Sequence, residues 1–342
     1  MSDIDIRIIG KAGRITLTRP HALNAVTYEM VLAIEEALEN WRGDPSVSLV
    51  IIDATGDKAF SAGGDLAQMY ATGSVGDYSY GRKFWADEYR LNAKIAAYPK
   101  PYVAFCQGFT MGGGVGVSLH GSHRIVCESS KIAMPECGVG LVPDVGGSYL
   151  LGRAPGHLGE YLAITGFRMN AGDAIYAGFA DSFVPEAGWA DLISHLEETG
   201  DVRAIDDARA AIPEDLSGVL QGKQLEIDRV FACDVVEAFQ AAQETSFAES
   251  FAKSTGRASP LAMVCGFELV RLARGATIEA ALSGEYRFTH KVMEHGDFIE
   301  GIRSVIIDKD QSPQWLHRSV GEVTGQDIAR MLAPLGSAEL KL

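Results

Sequence analysis

Two carboxylates stand in an otherwise apolar, glycine-rich segment, KIAMPECGVGLVPDVGGSYLLG, which covers residues 131–152. Glu136 follows Pro135, and Asp144 follows Pro143. Burying an ionised carboxylate is costly unless it is paired with a cation or used in chemistry. Two neighbouring acids can divide the work of a general acid and a general base, because each raises the pKa of the other. The segment therefore predicts a working carboxylate pair; the alternative is two acids that cap turns beside the prolines.

Two further segments combine small residues with a following helix pattern, KAFSAGGDL at 58–66 and GFTMGGGVGVSLHG at 108–121. Consecutive glycines are poor helix material, at about 1 kcal/mol each relative to alanine. They do let a ligand approach the backbone, where N–H groups at a helix N-terminus point to a negative oxygen. Such donors stabilise the oxyanion of acyl-transfer reactions. The two segments therefore predict two N–H donors for one carbonyl oxygen; the alternative is close helix packing through small residues.

Other motif interpretations fail on spacing. The glycine run does not follow G-x-G-x-x-G, because Val117 stands three residues after Gly114, and no G-x-x-x-x-G-K-[ST] loop occurs. GVSLHG has His120 where a nucleophile elbow has its second glycine, so Ser118 is predicted to be a buried helix residue. DKD at 308–310 lacks metal-ligand spacing and is predicted to form a turn or a salt-bridge cluster.

Composition and charge limit the function classes. The chain has 342 residues, 47% of them hydrophobic, which is enough for a large core. The net charge of −15 argues against a surface for nucleic acid or anionic membrane, although local cations and helix N-termini can still bind an anion. Five cysteines without CxxC spacing predict buried free thiols. Without a leader pattern or a long apolar run, we expect a cytoplasmic protein, unless a transit peptide has been removed.

Strands and helices alternate in the first part of the chain, which predicts an α/β layered domain. An amphipathic pattern between Thr27 as N-cap and Gly43 as a stop predicts a helix. The predicted strands are an alternating hairpin pair and three short apolar runs typical of buried strands. They cover residues 4–9 and 13–18 for the hairpin, and 48–55, 101–108 and 124–129 for the apolar runs.

After about residue 190 the glycines thin out and amphipathic helix patterns follow one another. These patterns cover residues 192–212, 235–255 and 260–293. We therefore predict a catalytic core over residues 1–195 and a mainly helical C-terminal region over residues 196–342.

Together, FSAGGDL, GFTMGGGVG and MPECGVGLVPDVGG resemble the crotonase, or enoyl-CoA hydratase/isomerase, superfamily. The resemblance begins at residues 13–27 and covers nearly the whole chain. Residues 285–315 and 335–342 resemble the branch of the superfamily that hydrolyses 3-hydroxyisobutyryl-CoA. The resemblance implies an α/β fold, a crotonase-like spiral of ββα units with a helical C-terminal region, whose core binds an acyl-CoA.

The resemblance also implies roles for residues around the substrate's thioester and its CoA moiety. The backbone N–H groups of Gly64 and Gly113 are expected to hold the thioester oxygen. Asn24, Lys58 and Ala62 lie in segments that match the CoA-binding edge of the family. Lys58 is either a contact to a CoA phosphate or a solvated loop charge.

The carboxylate positions of the family separate two activities. Hydratases of the superfamily use two glutamates, and the first of these positions is Gly116 here, whereas the second corresponds to Glu136. The hydrolase branch instead combines the Glu136 position with an aspartate eight residues on, which Asp144 matches. It also uses a glutamate before the KPYVA strand, which Glu88 matches.

The resemblance thus predicts hydrolysis of 3-hydroxyisobutyryl-CoA to 3-hydroxyisobutyrate and CoA, a step of valine catabolism. Glu136 either attacks the carbonyl to give an anhydride or activates water, while Asp144 and Glu88 contact the acyl hydroxyl or tune Glu136. The alternatives are an enoyl-CoA hydratase or isomerase and a non-catalytic acyl-CoA-binding protein. CoA enters only as part of the substrate, and no metal or organic cofactor is expected. The chain either forms a homo-oligomer or replaces subunit contacts with its C-terminal part.

Overall fold

The computed structural model describes residues 3–342, and within these it contains the following strands and helices. The strands are β1 (Ile4–Ile9), β2 (Ala12–Leu17), β3 (Leu49–Ala54), β4 (Ala59–Ser61), β5 (Tyr102–Cys106), β6 (Phe109–Met111), β7 (His123–Val126), β8 (Lys131–Ala133) and β9 (Ser182–Phe183). The helices are α1 (Tyr28–Arg42), α2 (Ala67–Gly73), α3 (Ser79–Ala96), α4 (Gly113–Ser118), α5 (Gly147–Leu151), α6 (Leu158–Thr165), α7 (Ala171–Tyr176), α8 (Trp189–Thr199), α9 (Ala204–Ala208), α10 (Leu220–Phe231), α11 (Val235–Ala241), α12 (Ala248–Thr255), α13 (Pro260–Ala273), α14 (Ile278–His295), α15 (Phe298–Ile302) and α16 (Gly325–Leu332).

Residue contacts divide the chain into two compact units, each built from three stretches of sequence. The first unit comprises the chain up to Gly64, Leu91–Ala133 and Arg168–Gln221. The second comprises Asp65–Arg90, Met134–Phe167 and Gly222–Leu342. The predicted domain division at residue 195 stays a prediction, because both units contain residues from either side of that position.

The first unit contains both β-sheets. The larger sheet has the strand order β1-β2-β3-β5-β7-β9, in which β1 and β2 form the predicted antiparallel hairpin and the other neighbours are parallel. The smaller sheet is parallel and has the order β4-β6-β8. Successive strands from β3 to β8 therefore alternate between the two sheets, as expected for a spiral of ββα units.

One face of the larger sheet forms a core with helices α8 and α9. Because side chains alternate along a strand, residues two apart, such as Val103 and Phe105 in β5, point to this same face. The ring of Trp189 packs edge-on against Phe105 at 5.1 Å between centroids, and its Nε1 donates a hydrogen bond to the Val184 carbonyl. Strand β5 and the first four residues of β3 are apolar on both faces, since both faces are buried there.

Helices build the second unit. Helix α13 is buried nearly all round and packs against α6 and α14. The chain between α13 and α14 turns at Gly275, whose φ of +70° lies in the left-handed region, so the long pattern over residues 260–293 forms two helices. Among the described residues that follow Phe183, the regular elements are helices only, which confirms the predicted helical C-terminal region.

Several local predictions are confirmed by side-chain contacts. The Thr27 side chain accepts a hydrogen bond from the Met30 N–H and caps α1, whose last residue, Arg42, is followed by Gly43 as the C-cap. Ser118 is buried in α4, where its hydroxyl donates to the Gly114 carbonyl at 2.6 Å. The DKD segment forms a salt-bridge cluster, because Arg303 contacts the carboxylates at both of its ends.

The cysteines are free thiols, as predicted, and four of the five are buried. The exception is Cys233, which is partly exposed. Burial raises the pKa of the Cys106 thiol to about 12, which keeps this side chain protonated and unreactive as a nucleophile. The four buried cysteines therefore act as small core residues.

Candidate active site

Seven of the described acidic residues are buried in the second unit, and four of them interact through the charge of Asp144. Glu88 lies on α3, Glu136 and Asp144 in the segment before α5, and Glu285 on α14, with exposed fractions of 2%, 7%, 4% and 0%. Within residues 3–342, none of the four forms an ion pair with a lysine, arginine or histidine. Buried carboxylates are normally neutralised by a cation, so this group of four, the carboxylate cluster, is a candidate for chemistry.

The negative charge of Asp144 raises the pKa of each of the other three acids in the carboxylate cluster. Oδ2 of Asp144 accepts a hydrogen bond of 2.6 Å from the hydroxyl of Tyr89, the residue after Glu88 on α3. Burial raises the pKa of Asp144 to about 7, and the hydrogen bond from Tyr89 opposes this increase. Near neutral pH the group therefore exists in both its charged and its neutral form.

Glu136 and Glu88 each combine burial with a free oxygen. Burial and then the negative charge of Asp144 raise the pKa of both groups well above the ordinary value. Among the described residues, Oε2 of Glu136 and Oε1 of Glu88 have no hydrogen-bond partner. A buried acid with a high pKa and an unused oxygen can take a proton from water or a substrate group. The catalytic roles that the sequence predicts for Glu136 and Glu88 stay a prediction.

Tight backbone packing holds the segment that carries Glu136. This residue opens a 3-10 helix, Glu136–Val139, directly after Pro135. The helix ends at Gly140, whose φ is +75° and where a Cβ would lie 2.6 Å from the backbone of Asp297. Only glycine fits this position, because any side chain would push the segment away from Asp297.

Glu285 supports the other end of the same segment. Its carboxylate accepts hydrogen bonds from the Gly146 N–H at 2.8 Å and from the Ser148 N–H at 2.9 Å, and also from the Ser148 hydroxyl. Burial raises the pKa of Glu285 to about 8, while these three donors lower it. Glu285 is therefore engaged in holding the backbone, unlike Glu136 and Glu88 with their free oxygens.

The two predicted N–H donors belong to the first unit. Gly113 is the first residue of α4, where the N–H groups have no partner inside the helix. Gly64 forms a parallel bridge with Val26. The hydrogen bonds that join this segment to its neighbours use the Ala62 N–H and the Gly63 carbonyl, and neither uses the N–H of Gly64. A role of Gly64 and Gly113 in holding an oxyanion stays a prediction.

The glycines around α4 have different structural roles. Gly112 caps the helix with φ +47° and ψ −120°, a conformation that disfavours other residues. A Cβ on Gly114 would lie 2.7 Å from the carbonyl oxygen of Ser61, so close packing explains this glycine. Gly116 is buried in the same helix, and no carboxylate is present at this hydratase position.

Two of the three residues predicted to bind CoA, Asn24 and Lys58, line a groove of about 200 Å³ in the first unit, and the Ala62 N–H donates to the carbonyl of Leu23, another lining residue. The Asn24 amide donates to the carbonyls of Thr55 and Ala59 at 2.9 Å each, and its oxygen accepts from the Arg19 N–H, so this side chain holds the loops in place. The Lys58 side chain is exposed, and Ala62 is partly buried. The groove is lined by Pro20, Leu23, Asn24, Thr55, Gly56, Asp57, Lys58 and Ala59.

Sequence reasoning missed Tyr89 and Glu285, which surround Asp144. A signal for Glu285 exists in the helical spacing, because it lies on the same apolar stripe of α14 as Ile278, Leu282 and Val292. An acid on an apolar stripe predicts a buried carboxylate. Tyr89 has no such signal, since a tyrosine on a buried helix face is ordinary.

The chain is similar to known proteins over its whole length. A protein from Gallus gallus named "3-hydroxyisobutyryl-CoA hydrolase, mitochondrial" is 36% identical over 100% of this chain and 91% of its own length. A crystal structure of an enoyl-CoA hydratase from Rhodobacter sphaeroides is 50% identical and covers 100% of both chains with a TM-score of 0.95. A carnitinyl-CoA dehydratase from Mycobacterium thermoresistibile is 36% identical, with a TM-score of 0.94 over 100% of this chain and 99% of its own.

These relatives confirm the crotonase fold but differ in their named activities. The name of the Gallus gallus relative places that protein in mitochondria, so it does not support the cytoplasmic location predicted for this chain. In the part of the chain that the structure describes, no helix has the length and apolar character of a membrane span. The family model for enoyl-CoA hydratase/isomerase matches residues 12–332. The chain therefore belongs to the enoyl-CoA hydratase/isomerase family.

Proposed function

We propose that this protein hydrolyses the thioester of a short-chain 3-hydroxyacyl-CoA, with 3-hydroxyisobutyryl-CoA as the substrate, in valine catabolism. The observation that carries the proposal is the carboxylate cluster. It places two acids with free oxygens, Glu136 and Glu88, around Asp144 and without a cation among the described residues. The names of the curated relatives at 36–39% identity support the choice of substrate.

Glu136 supplies the basic or nucleophilic oxygen in this proposal. In one route it takes a proton from water as the water attacks the thioester carbon, and CoA leaves as the thiol. In the other route Glu136 attacks that carbon itself, the C–S bond breaks and CoA leaves as the thiolate, and water then cleaves the resulting anhydride to release the acid and regenerate Glu136. Hydroxylamine distinguishes the routes, because it converts an anhydride on Glu136 into a hydroxamate that mass spectrometry detects on the peptide.

Asp144 and Glu88 act on the acyl part of the substrate. A 3-hydroxyl group needs a partner that accepts or donates a hydrogen bond, and an acid with a pKa of about 7 can do both near neutral pH. The charge of Asp144 also keeps the pKa of Glu136 and of Glu88 high. A substrate without the hydroxyl should therefore lose turnover as well as binding.

Backbone N–H groups of Gly64 and Gly113 hold the developing oxyanion in this proposal, as the crotonase resemblance implies. Loss of one such donor typically costs about 10²–10³ in turnover. We expect Gly113→Val to reduce kcat by about this factor with a much smaller relative loss of thermal stability. Parallel losses of stability and activity would instead support a packing role for this glycine.

CoA is recognised at the groove that Lys58 borders. Lys58 is exposed and free to approach a phosphate, whereas Asn24 shapes the groove through its three hydrogen bonds to the loops. Ala62 lies two residues before Gly64, so the same segment would contact CoA and the thioester. CoA is part of the substrate, and the chemistry requires water as the second reactant.

Enoyl-CoA hydration is the second candidate, because the relative from Rhodobacter sphaeroides at 50% identity is described as an enoyl-CoA hydratase. Hydration needs an acid and a base on the two carbons of the double bond, and Gly116 supplies neither at the first position. The measurement is thiol release from 3-hydroxyisobutyryl-CoA against hydration of crotonyl-CoA, at matched enzyme concentration. A hydrolysis rate well above the hydration rate supports the hydrolase. A hydrolysis rate well below the hydration rate replaces it with the hydratase. Binding of both compounds without turnover would indicate a non-catalytic acyl-CoA-binding protein.

A further inference from the structure

The turn that follows Asp144 is strained. Val145 has a φ of +53°, in the left-handed region that β-branched residues almost never adopt, and Gly146 follows with a φ of +77°. The turn is closed by a hydrogen bond of 2.6 Å from the Gly147 N–H to the Asp144 carbonyl. Strain of this kind persists only where surrounding contacts over-determine the backbone, and it concentrates at functional sites.

Two helices supply those contacts. From α14, the Glu285 carboxylate accepts hydrogen bonds from two backbone N–H groups, that of Gly146 within the strained turn and that of Ser148 just after it. From α3, the Tyr89 hydroxyl donates to the carboxylate of Asp144 itself at 2.6 Å. Burial raises the pKa of Tyr89 well above its ordinary value, so the phenol stays protonated and remains a donor.

We propose that Tyr89 and Glu285 are positioning residues: from two different helices they fix the Asp144 carboxylate and the strained turn behind it in the orientation that thioester hydrolysis requires. The inference rests on the proposed function for its catalytic consequence. Neither residue needs to touch the substrate. Each acts through Asp144, so its loss should change turnover and pH dependence more than substrate binding.

Tyr89→Phe tests the contact from α3, because it removes only the hydroxyl. Hydrogen bonds to charged groups are worth roughly 10-fold to 100-fold, and we expect kcat for 3-hydroxyisobutyryl-CoA to fall by about this factor with KM nearly unchanged. Tyr286→Phe is the matched control, since the Tyr286 ring packs edge-on against Tyr89 while its hydroxyl donates to the Arg82 carbonyl instead. Equal kcat values for Tyr89→Phe and the wild type would overturn the proposal for Tyr89.

The pH profile separates positioning from a structural role. The ionisable groups that face Asp144 are Glu88 and Tyr89 from α3, Glu136 from the 3-10 helix and Glu285 from α14. The Tyr89 hydrogen bond lowers the pKa of Asp144, so its loss raises that pKa. The limb of the pH–rate profile that reports the ionisation of Asp144 should therefore move to higher pH in Tyr89→Phe. A profile that keeps its position while kcat falls would leave Tyr89 a structural role only.

Glu285→Gln tests the contact from α14. An amide has one acceptor oxygen, so either the Gly146 N–H or the Ser148 groups lose their partner. We expect hydrogen–deuterium exchange of the peptide containing residues 144–148 to speed up at least about tenfold for an amide released from a buried bond. Ser148→Ala, which keeps both N–H bonds to Glu285, should have a smaller effect.

The exchange measurement needs no substrate, so it separates the failure of this inference from failure of the proposed function. If the wild type does not hydrolyse 3-hydroxyisobutyryl-CoA but Glu285→Gln exchanges faster, the function is wrong and the support of the turn stands. Unchanged exchange in Glu285→Gln would overturn the role of Glu285, whatever the wild-type activity.

Discussion

Among the buried carboxylates of the second unit, Glu160 and the carboxylate cluster treat the charge in opposite ways. Glu160 on α6 is fully buried, but its carboxylate contacts Arg274 at 2.5 Å, Arg271 at 3.5 Å and His157 at 3.1 Å. The carboxylate cluster is buried to the same degree, and within the described residues it has hydrogen-bond donors and no cation.

The difference distinguishes a structural buried acid, Glu160, from the carboxylate cluster, whose members Glu136 and Glu88 keep a free oxygen. A carboxylate surrounded by cations is kept charged, and removing it leaves those cations without a partner. A buried carboxyl group without a cation has a raised pKa, so it can exchange a proton near neutral pH. Burying such a group lowers stability, but its proton exchange is useful in catalysis. Substitutions at Glu160 and in the carboxylate cluster should therefore have opposite effects on stability and activity.

The largest effect is expected for Glu136→Gln, which keeps the shape of the side chain but removes its basicity and nucleophilicity. Turnover of 3-hydroxyisobutyryl-CoA should fall by at least about 10³-fold, while calorimetry should still detect acyl-CoA binding. The melting temperature should stay the same or rise, because a buried acid without a cation is replaced by a neutral amide. A variant with more than about a tenth of wild-type turnover would exclude Glu136 as the catalytic group.

Glu160→Gln should give the opposite pattern. Loss of the charge leaves Arg271 and Arg274 without their partner; both are about one third exposed, so solvent screens part of the effect. We expect a loss of about 2 kcal/mol in the free energy of unfolding and unchanged kcat in the protein that remains folded. The measurements are urea unfolding and thiol release at a temperature well below the transition. A drop in kcat without a drop in stability would place Glu160 with the carboxylate cluster.

The pH dependence of stability provides a third comparison. Folded Asp144 keeps its proton up to about pH 7, whereas the unfolded chain releases it near the ordinary value of 3.8. Between these values the folded state binds more protons, so the free energy of unfolding falls as the pH rises, and Glu285 extends the fall to about pH 8. We expect a loss on the order of a few kcal/mol between pH 5 and pH 8, measured by urea unfolding.

Asp144→Asn is the control for this pH dependence. The amide does not titrate, so the variant should lose less stability than the wild type between pH 5 and pH 8. Identical slopes for the two proteins would mean that Asp144 does not bind a proton at neutral pH in the folded state.

The smallest effect is expected at an exposed charge. Lys58→Ala should raise KM for the acyl-CoA by about two- to fivefold and leave kcat unchanged. The expected change is small because an exposed ion pair contributes less than about 1 kcal/mol. Lys58→Arg should restore KM, and Lys253→Ala, which removes an exposed lysine from α12, should have no effect. An unchanged KM in Lys58→Ala would make Lys58 a solvated loop charge.

The order of local elements and the reactive residue types could be predicted from the sequence. The cap at Thr27, the hairpin of β1 and β2 and the apolar runs of β3, β5 and β7 are local patterns that packing did not override. The short strands β4, β6 and β8 were not predicted as a separate sheet. Three residues carry too little pattern to specify a partner, and strand pairing is a contact between distant parts of the chain.

The sequence by itself determined that Glu136 and Asp144 stand among apolar residues and that Gly116 cannot act as an acid or base. Tertiary structure alone decided what surrounds these acids. Tyr89 reaches Asp144 across 55 positions of sequence, and Glu285 reaches Ser148 across 137. The high pKa of Asp144 has the same origin, because burial arises from elements that are far apart in the chain and brought together only by folding.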